Sequence, residues 1–353
     1  RDHGRPDPAL ADGRPPRMED VARLAGVSRT TVSLVLNGKP DHGIPDRTVE
    51  RINEAAASLG YRRNAMAAGL RSSTTHTIGL ISDVVATTPF AGQMLHGAQE
   101  VAWTARKLIS VINTEGDPEV EDAAVSQVLE RRMDGALWAT MYHQVIPRPR
   151  GLNGLPLVLL DARTEDGSVP SVVPDDLGGA RAAVAHLVEA GHRRIGFINA
   201  IDPVPAATLR LQGYREVLAE AGIGADDDLV TKGDGTPGGE QTALRLLALP
   251  DRPTAIFCFN DRTAMGVLRA ARRLGLTVPG DLSVVGYDNH DVIAPWMDPP
   301  LTTVQLPHLE MGRWGTEHLL AIIDGRIPAD EPPVQMRMPC PLVMRASVAP
   351  PRG

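Results

Sequence analysis

Aromatic residues are scarce: four Trp, four Tyr and four Phe serve 353 residues. The cores must therefore be built from Ala, Val, Leu and Ile. Two cysteines, Cys258 and Cys340, are too few for a disulfide framework. Each lies in an apolar run that reads as a strand, so two buried thiols in a reducing cytoplasm are expected. No apolar run approaches the roughly 20 residues of a membrane span. Residues 1–17 are rich in Pro, Gly, Asp and Arg and lack the apolar stretch of a secretory signal. Residues 1–16 read as a disordered tail. The ten histidines are scattered, with no H-E-x-x-H and no C-x-x-C, so no metal is expected. No Ser or Cys stands in a nucleophile motif, and no cofactor is expected. Gly233-Asp-Gly235-Thr-Pro-Gly238 matches G-x-G-x-x-G, but far from the first strand–helix turn of a domain and with a Pro inside, which argues against a dinucleotide site.

Charge is unevenly spread. The chain carries −7 overall, yet residues 15–73 hold nine Lys/Arg against six Asp/Glu. The first fourteen residues balance, so the excess of acid lies wholly in the remainder. A basic head on an acidic body suits a head that meets phosphates and a body that does not.

The head carries a readable helix pattern. Met18, Val21, Ala22 and Ala25 share one helical face. Gly26 supplies a tight turn, Val27 fills the angle, and Ser28 is placed to cap the next helix. That helix, residues 29–36, turns Val32, Val35 and Leu36 inward and leaves Arg29, Thr30, Thr31, Ser33 and Leu34 outward. A third helix follows Pro45, with Asp46 as its expected cap, and ends at Gly60. Short helix, Gly turn, polar-faced helix and buttress make a helix-turn-helix, whose second helix fits the major groove. A small protein-interaction module has the same pattern.

Specific runs decide between the two. Val21-Ala-Arg-Leu-Ala-Gly-Val-Ser28, Thr31-Val-Ser33, Val35-Leu-Asn37 and Leu59-Gly-Tyr61-Arg62-x-Asn64-Ala65 resemble the head of LacI/GalR-family transcriptional regulators. The resemblance implies DNA contacts from Ser28, Arg29, Thr30, Thr31, Ser33, Leu34, Asn37 and Tyr61. Arg29 and Thr30 stand at the family's base-reading positions. Leu34 stands where many members carry Arg; it cannot pair with guanine but can touch a thymine methyl. Residues 61–75 resemble the family's hinge. Asn64, Ala67 and Leu70 would enter the minor groove, with Leu70 as the wedge between base steps. Arg63 replaces the usual Pro, and Gly69 weakens the helix by about 1 kcal/mol relative to Ala.

From residue 77 apolar runs (78–85, 108–113, 136–140, 157–161, 195–199, 255–259 and 282–287) alternate with helical stretches (90–105, 177–190, 209–221, 240–248 and 262–274). This alternation predicts parallel sheets covered on both faces, and the length predicts two doubly wound lobes. Thr88-Pro-Phe90, His186-Leu-x4-Gly-His-Arg-Arg-Ile195, Arg210-x2-Gly-Tyr-Arg215, Asn260-Asp261-x3-Met-Gly266, Ser283-Val-Val-Gly-Tyr-Asp288 and Pro299-Pro-Leu-Thr-Thr-Val304 resemble the family's periplasmic-binding-protein-like effector domain. The expected organisation is a head at 17–60, a hinge at 61–75 and an effector-binding and dimerisation domain at 76–350. Its first lobe spans 76–174 and 305–332, its second 175–304 and 333–350. Ligands in such folds sit beyond the carboxyl ends of strands, which nominates Asp161, Arg163, Arg210, Asn260 and Asp288; the resemblance adds Phe90. Asp261 reads as a helix cap, and Arg210 and Asp288 are alternatively a salt bridge. Trp138 and Tyr142 read equally as cleft wall or core, Trp296 as packing or dimer contact. One cleft aromatic of the family is replaced by Ala91, and its Gln-Pro by Leu306-Pro307.

The expectation is a cytoplasmic homodimeric regulator, most simply a repressor, gated by a small polar, sugar-like effector on a pseudo-palindromic double-stranded operator, with no membrane partner. A nucleoside or a phosphoprotein corepressor is a second possible gate. A solute-binding protein without DNA-binding role and an enzyme on an α/β scaffold are the competing classes. The head argues against the first, the missing catalytic constellation against the second.

Overall fold

The computed structural model describes residue 14 and residues 16–36, 43–61, 74–84, 91–224, 226–328 and 330–352. The chain divides into two compact units, Arg1–Thr75 and His76–Gly353.

The smaller unit holds three helices, α1 (Met18–Ala25), α2 (Arg29–Leu36) and α3 (Asp46–Ser58). Val21, Val32 and Ile52 are fully buried at their meeting point, with Ala25, Val35, Ala55 and Leu59 around them. Gly26 closes α1 in the left-handed conformation, φ +62°, which only glycine adopts without strain. Ser28 caps α2 as expected, its Oγ accepting from the Thr31 N–H at 3.1 Å. The third helix differs from expectation: Pro45 holds the cap position, and Asp46 is its first helical residue with no side-chain cap bond. Proline suits that place because its missing N–H is one the helix start leaves unpaired anyway.

The larger unit contains two parallel sheets. The first has β1 (Thr77–Ser82), β2 (Leu108–Asn113), β3 (Gly135–Ile146), β4 (Leu157–Thr164), β5 (Ser171–Pro174) and β11 (Gln335–Met338), in the order β11-β5-β4-β3-β1-β2. Helices α4 (Ala91–Thr104), α5 (Pro118–Glu130) and α10 (His308–Ile323) accompany it. The second sheet runs β7-β6-β8-β9, from β6 (Ile195–Asn199), β7 (Val230–Lys232), β8 (Ala255–Cys258) and β9 (Ser283–Val285). Helices α6 (Asp176–Glu189), α7 (Pro205–Glu220), α8 (Gly235–Leu247) and α9 (Asp261–Arg273) surround it. Every pairing within both sheets is parallel. The expectation of two doubly wound lobes holds.

The lobes exchange chain three times. Helix α6 leaves the first sheet for the second, β10 (Thr303–Val304) leads back into α10, and β12 (Leu342–Val343) crosses last, pairing antiparallel with β10. The last crossing corrects the expected boundary at 332/333. Gln335–Met338 pairs with Ser171–Pro174 in the first sheet, so the chain crosses only after Met338. An edge strand reading Gln-Met-Arg-Met has one half-buried face and shows no apolar run. Cys340 is buried in this crossing segment rather than in a strand, and Cys258 is buried in β8. Helices α4 and α10 touch through glycines: a Cβ on Gly97 or Gly312 would lie 2.1 Å from a backbone oxygen of the opposite helix. This close approach ties the returning helix to the first lobe.

Candidate functional site

The head offers its second helix outward. Arg29 and Thr30 are exposed, and Thr31, Ser33 and Leu34 are half-buried. Arg29 pairs with Glu19 at 3.1 Å across the turn, which positions its guanidinium beside α1. Thr31 shares a 2.8 Å bond with the capping Ser28. Leu34 is half-buried and is not among the side chains packed on the head's core cluster, whereas Tyr61 is. Asn37, Asn64, Ala67 and Leu70 lie outside the described residues. The helix start depends on Asp20, buried at 2% exposure. Its carboxylate accepts from the Arg17 N–H at 2.8 Å and from the guanidinium groups of Arg14 and Arg23. The Arg17 backbone bond, with these cations, holds the Asp20 carboxyl below its ordinary range against the cost of burial. Arg14 thus belongs to the head, within the stretch that reads as tail.

Between the lobes of the larger unit lies a narrow cleft whose free space, about 30 Å³, is little more than a water molecule fills. Asp161, Arg210, Asn260 and Asp288 line it together, four of the six residues nominated from the sequence. Arg163, two residues beyond Asp161 on β4, is not among the lining residues, and Phe90 lies outside the described residues. Two of the cleft carboxylates sit on left-handed backbone, Asp161 at φ +56° and Asp288 at φ +109°. Such positions cost of order 1–3 kcal/mol and concentrate at functional sites.

Arg210 forms the floor. It is 3% exposed, donates to Asp176 Oδ1 from Nε at 2.9 Å and to the Phe259 carbonyl at 2.5 Å. Its Nη2 lies 2.8 Å from the same Asp176 oxygen. The guanidinium lies over the Tyr287 ring, 3.5 Å from its centroid, and 4.5 Å from that of Phe259. Burial opposes both charges, yet mutual attraction wins: Asp176 is held below its ordinary range and Arg210 above its own. The partner of Arg210 is therefore Asp176 and not Asp288. Asn260, not Asp261, caps α9, accepting from the Thr263 N–H at 2.9 Å. Asp261 is buried and bonds the Thr303 hydroxyl at 2.6 Å and the His290 N–H at 2.7 Å, fastening the returning crossover to the second lobe.

Sequence reasoning missed Asp176, His143 and His308. Asp176 carried a signal, the Asp175-Asp176 pair directly after the β5 strand. His143 carried none, because β3 continues beyond the expected end at 140. Residues 140–143 stand opposite Asp161 alone, a bulge between the pairs Ala139–Leu160 and Gln144–Ala162. The Thr140 hydroxyl holds it, its one proton shared between the Tyr142 and Asp161 carbonyls, whose oxygens lie 2.8 and 2.7 Å away. The bulge delivers Tyr142 and His143 to the cleft, while Trp138 stays in the first lobe's core. His308, at the start of α10, comes within 3.8 Å of Asp161. Both nitrogens of His143, Asp161 Oδ1 and Asp176 Oδ2 are buried without a hydrogen-bond partner. No hydrogen bond reaches the Asp288 carboxylate from the described residues. Burial, then the neighbouring Asp261, pushes Asp288 well above the usual carboxylate range, against the pull of Arg210 and Arg262.

Two outcomes follow. Arg210→Ala leaves a carboxylate buried without its cation, which costs about 3–5 kcal/mol; thermal unfolding of the larger unit should fall sharply, and an unshifted transition would remove Arg210 from the floor. Asp20 is lowered in the folded head, so its stabilisation is complete above the ordinary Asp range, declines below it and is gone once pH falls through the lowered folded value. Helical signal of the head should be lost on acidification, and Asp20→Asn should flatten that pH dependence.

Comparison with known proteins agrees with both halves. Residues 17–64 match the model of bacterial regulatory proteins, lacI family, and residues 184–348 that of the periplasmic binding protein-like domain. The HTH-type transcriptional repressor PurR of Photobacterium profundum is 33% identical over 306 residues, covering 86% of this chain and 90% of that protein. The ribose operon repressor of Escherichia coli (strain K12) is 34% identical over 310 residues, covering 86% and 92%. The crystal structure of the lac repressor dimer bound to operator and the anti-inducer ONPF superposes with a TM-score of 0.80 at 27% identity, over 95% of this chain and all of that one. The chain belongs to the lacI family of bacterial regulatory proteins: it is a DNA-binding transcriptional regulator and not an enzyme.

Proposed function

We propose that the chain is a cytoplasmic, homodimeric repressor whose grip on a pseudo-palindromic operator is set by a small polar, sugar-like effector held between the lobes. The observation that carries this reading is the cleft itself. Polar groups from both lobes meet there, several of them buried without partners. A hydroxylated ligand offers both the donors and the acceptors they lack. Among known relatives, one is named a ribose operon repressor.

On the DNA side, Arg29 and Thr30 read base edges, and Leu34 meets a thymine methyl. Thr31 and Ser33 contact the backbone, and Leu70 wedges the central step. The apolar surface supplies a dimer face. Trp296 is 81% exposed and Val292 66%, beside Met297 and Leu268 on the second lobe. On the first lobe, Trp103 and the edge-strand Leu108 are more than half exposed. Patches of this kind mark association sites. No helix among the described residues is long and apolar enough to cross a membrane.

The reading is tested by footprinting the protein on its own upstream DNA while titrating sugars and nucleosides. A protected site that one compound weakens or strengthens is the expected result, and the direction separates inducer from corepressor. Binding without sequence preference, or indifference to every compound, contradicts the gated repressor. Trp296→Asp should shift the protein toward monomer in analytical ultracentrifugation and weaken operator binding with it; an unchanged dimer places the interface elsewhere.

A further inference from the structure

His143 comes from the first lobe, carried out of its sheet by the bulge, and its ring is buried. Nδ1 stands 3.5 Å from Asp176 Oδ2, on the second lobe. That oxygen has no hydrogen bond, because Arg210 spends its contacts on Oδ1. The other titratable or charged groups around the ring in the cleft are Asp161, His308, Tyr142, Asp288, Arg210 and Arg262.

We propose that His143 is a specificity-determining residue: Asp176 fixes its proton on Nδ1, so that Nε2 accepts a hydrogen bond from a hydroxyl of the effector. This rests on the reading of the cleft as the effector site. A neutral imidazole has one donor and one acceptor, and the partner of one nitrogen decides the role of the other. Asp176, kept ionised by Arg210, can only accept. Nδ1 then carries the proton, which leaves Nε2, unpartnered on a ring that lines the cleft, as a bare acceptor. Arg210, a strong donor in the cleft, is engaged with Asp176 and the Phe259 carbonyl. A hydroxyl can donate to Nε2; a phosphate or carboxylate, ionised at neutral pH, cannot. Because the ring and its orienting carboxylate belong to different lobes, the hydroxyl that completes the ring also favours the closed arrangement.

The tautomer is tested without any ligand by long-range proton–nitrogen NMR of the full chain labelled at histidine, with His143→Gln assigning the signal. A protonated Nδ1 and bare Nε2 are expected; the opposite tautomer overturns the proposal. Calorimetric titration then uses D-ribose, D-galactose and D-glucose, their phosphate esters, and hypoxanthine. His143→Phe should weaken the bound sugar at least about tenfold, the worth of one hydrogen bond. His143→Gln, whose amide oxygen accepts, should retain most of the affinity. Unchanged binding by the Phe variant, or a phosphate ester tighter than its parent sugar, overturns the assignment. Binding by hypoxanthine alone, with operator affinity responding, overturns the hydroxyl but leaves the gated repressor standing. If no compound binds, the tautomer decides.

Discussion

The second lobe is organised around one buried ion pair. Arg210 and Asp176 meet with almost no exposure, between the rings of Phe259 and Tyr287. A buried pair contributes little net stability when complete, since desolvation of both ions offsets their attraction. Its force lies in the penalty for separating it. That penalty fixes the start of α6, where the chain leaves the first lobe, against α7 and the end of β8. The cleft floor therefore cannot shift without exposing or orphaning a charge. A site whose walls must move needs one wall that does not.

The opposite wall is softer in a defined way. Asp161 and His143 are reached through a strand bulge and a left-handed residue, and Asp161 Oδ1 and both His143 nitrogens lack partners. The single Thr140 hydroxyl proton, shared between two carbonyls, holds the bulge, so the geometry persists while these atoms stay unsatisfied. The site combines a satisfied, rigid half with an unsatisfied half, divided between the lobes.

What the sequence made legible follows from range. Most of the head was readable because its signals are local: a Gly turn, a Ser cap three residues before Thr31, and apolar positions at helical spacing; the Pro45 cap and the Arg14 contact were not. The alternation of strands and helices announced two lobes for the same reason. Pairings between distant segments were not readable. Arg210 was nominated, but its partner Asp176 lies 34 positions away, and Asp288 was an equally good guess on charge alone. Asn260 and Asp261 exchanged roles because either can cap a helix; only the nearness of Thr303 and the His290 N–H turns Asp261 inward. His143 was invisible because a bulge leaves no compositional mark, and Gln335–Met338 because an edge strand needs no apolar run.

Gating requires more than occupancy. Moving a two-state equilibrium from about 1:99 to about 99:1 takes roughly 5.5 kcal/mol of differential affinity. A ligand that satisfied only the floor would bind both arrangements alike, since Arg210, Asp176 and Asn260 are held within one lobe. The differential must come from groups that reach the ligand together only when the lobes close. Each buried polar atom left unpaired costs about 1–3 kcal/mol. The unpaired Nε2 of His143 and Oδ1 of Asp161 on the first lobe contribute to that difference if the ligand bridges them to the floor. The same atoms penalise closure without a ligand, so the empty protein is biased toward the open arrangement by the groups that later hold it shut.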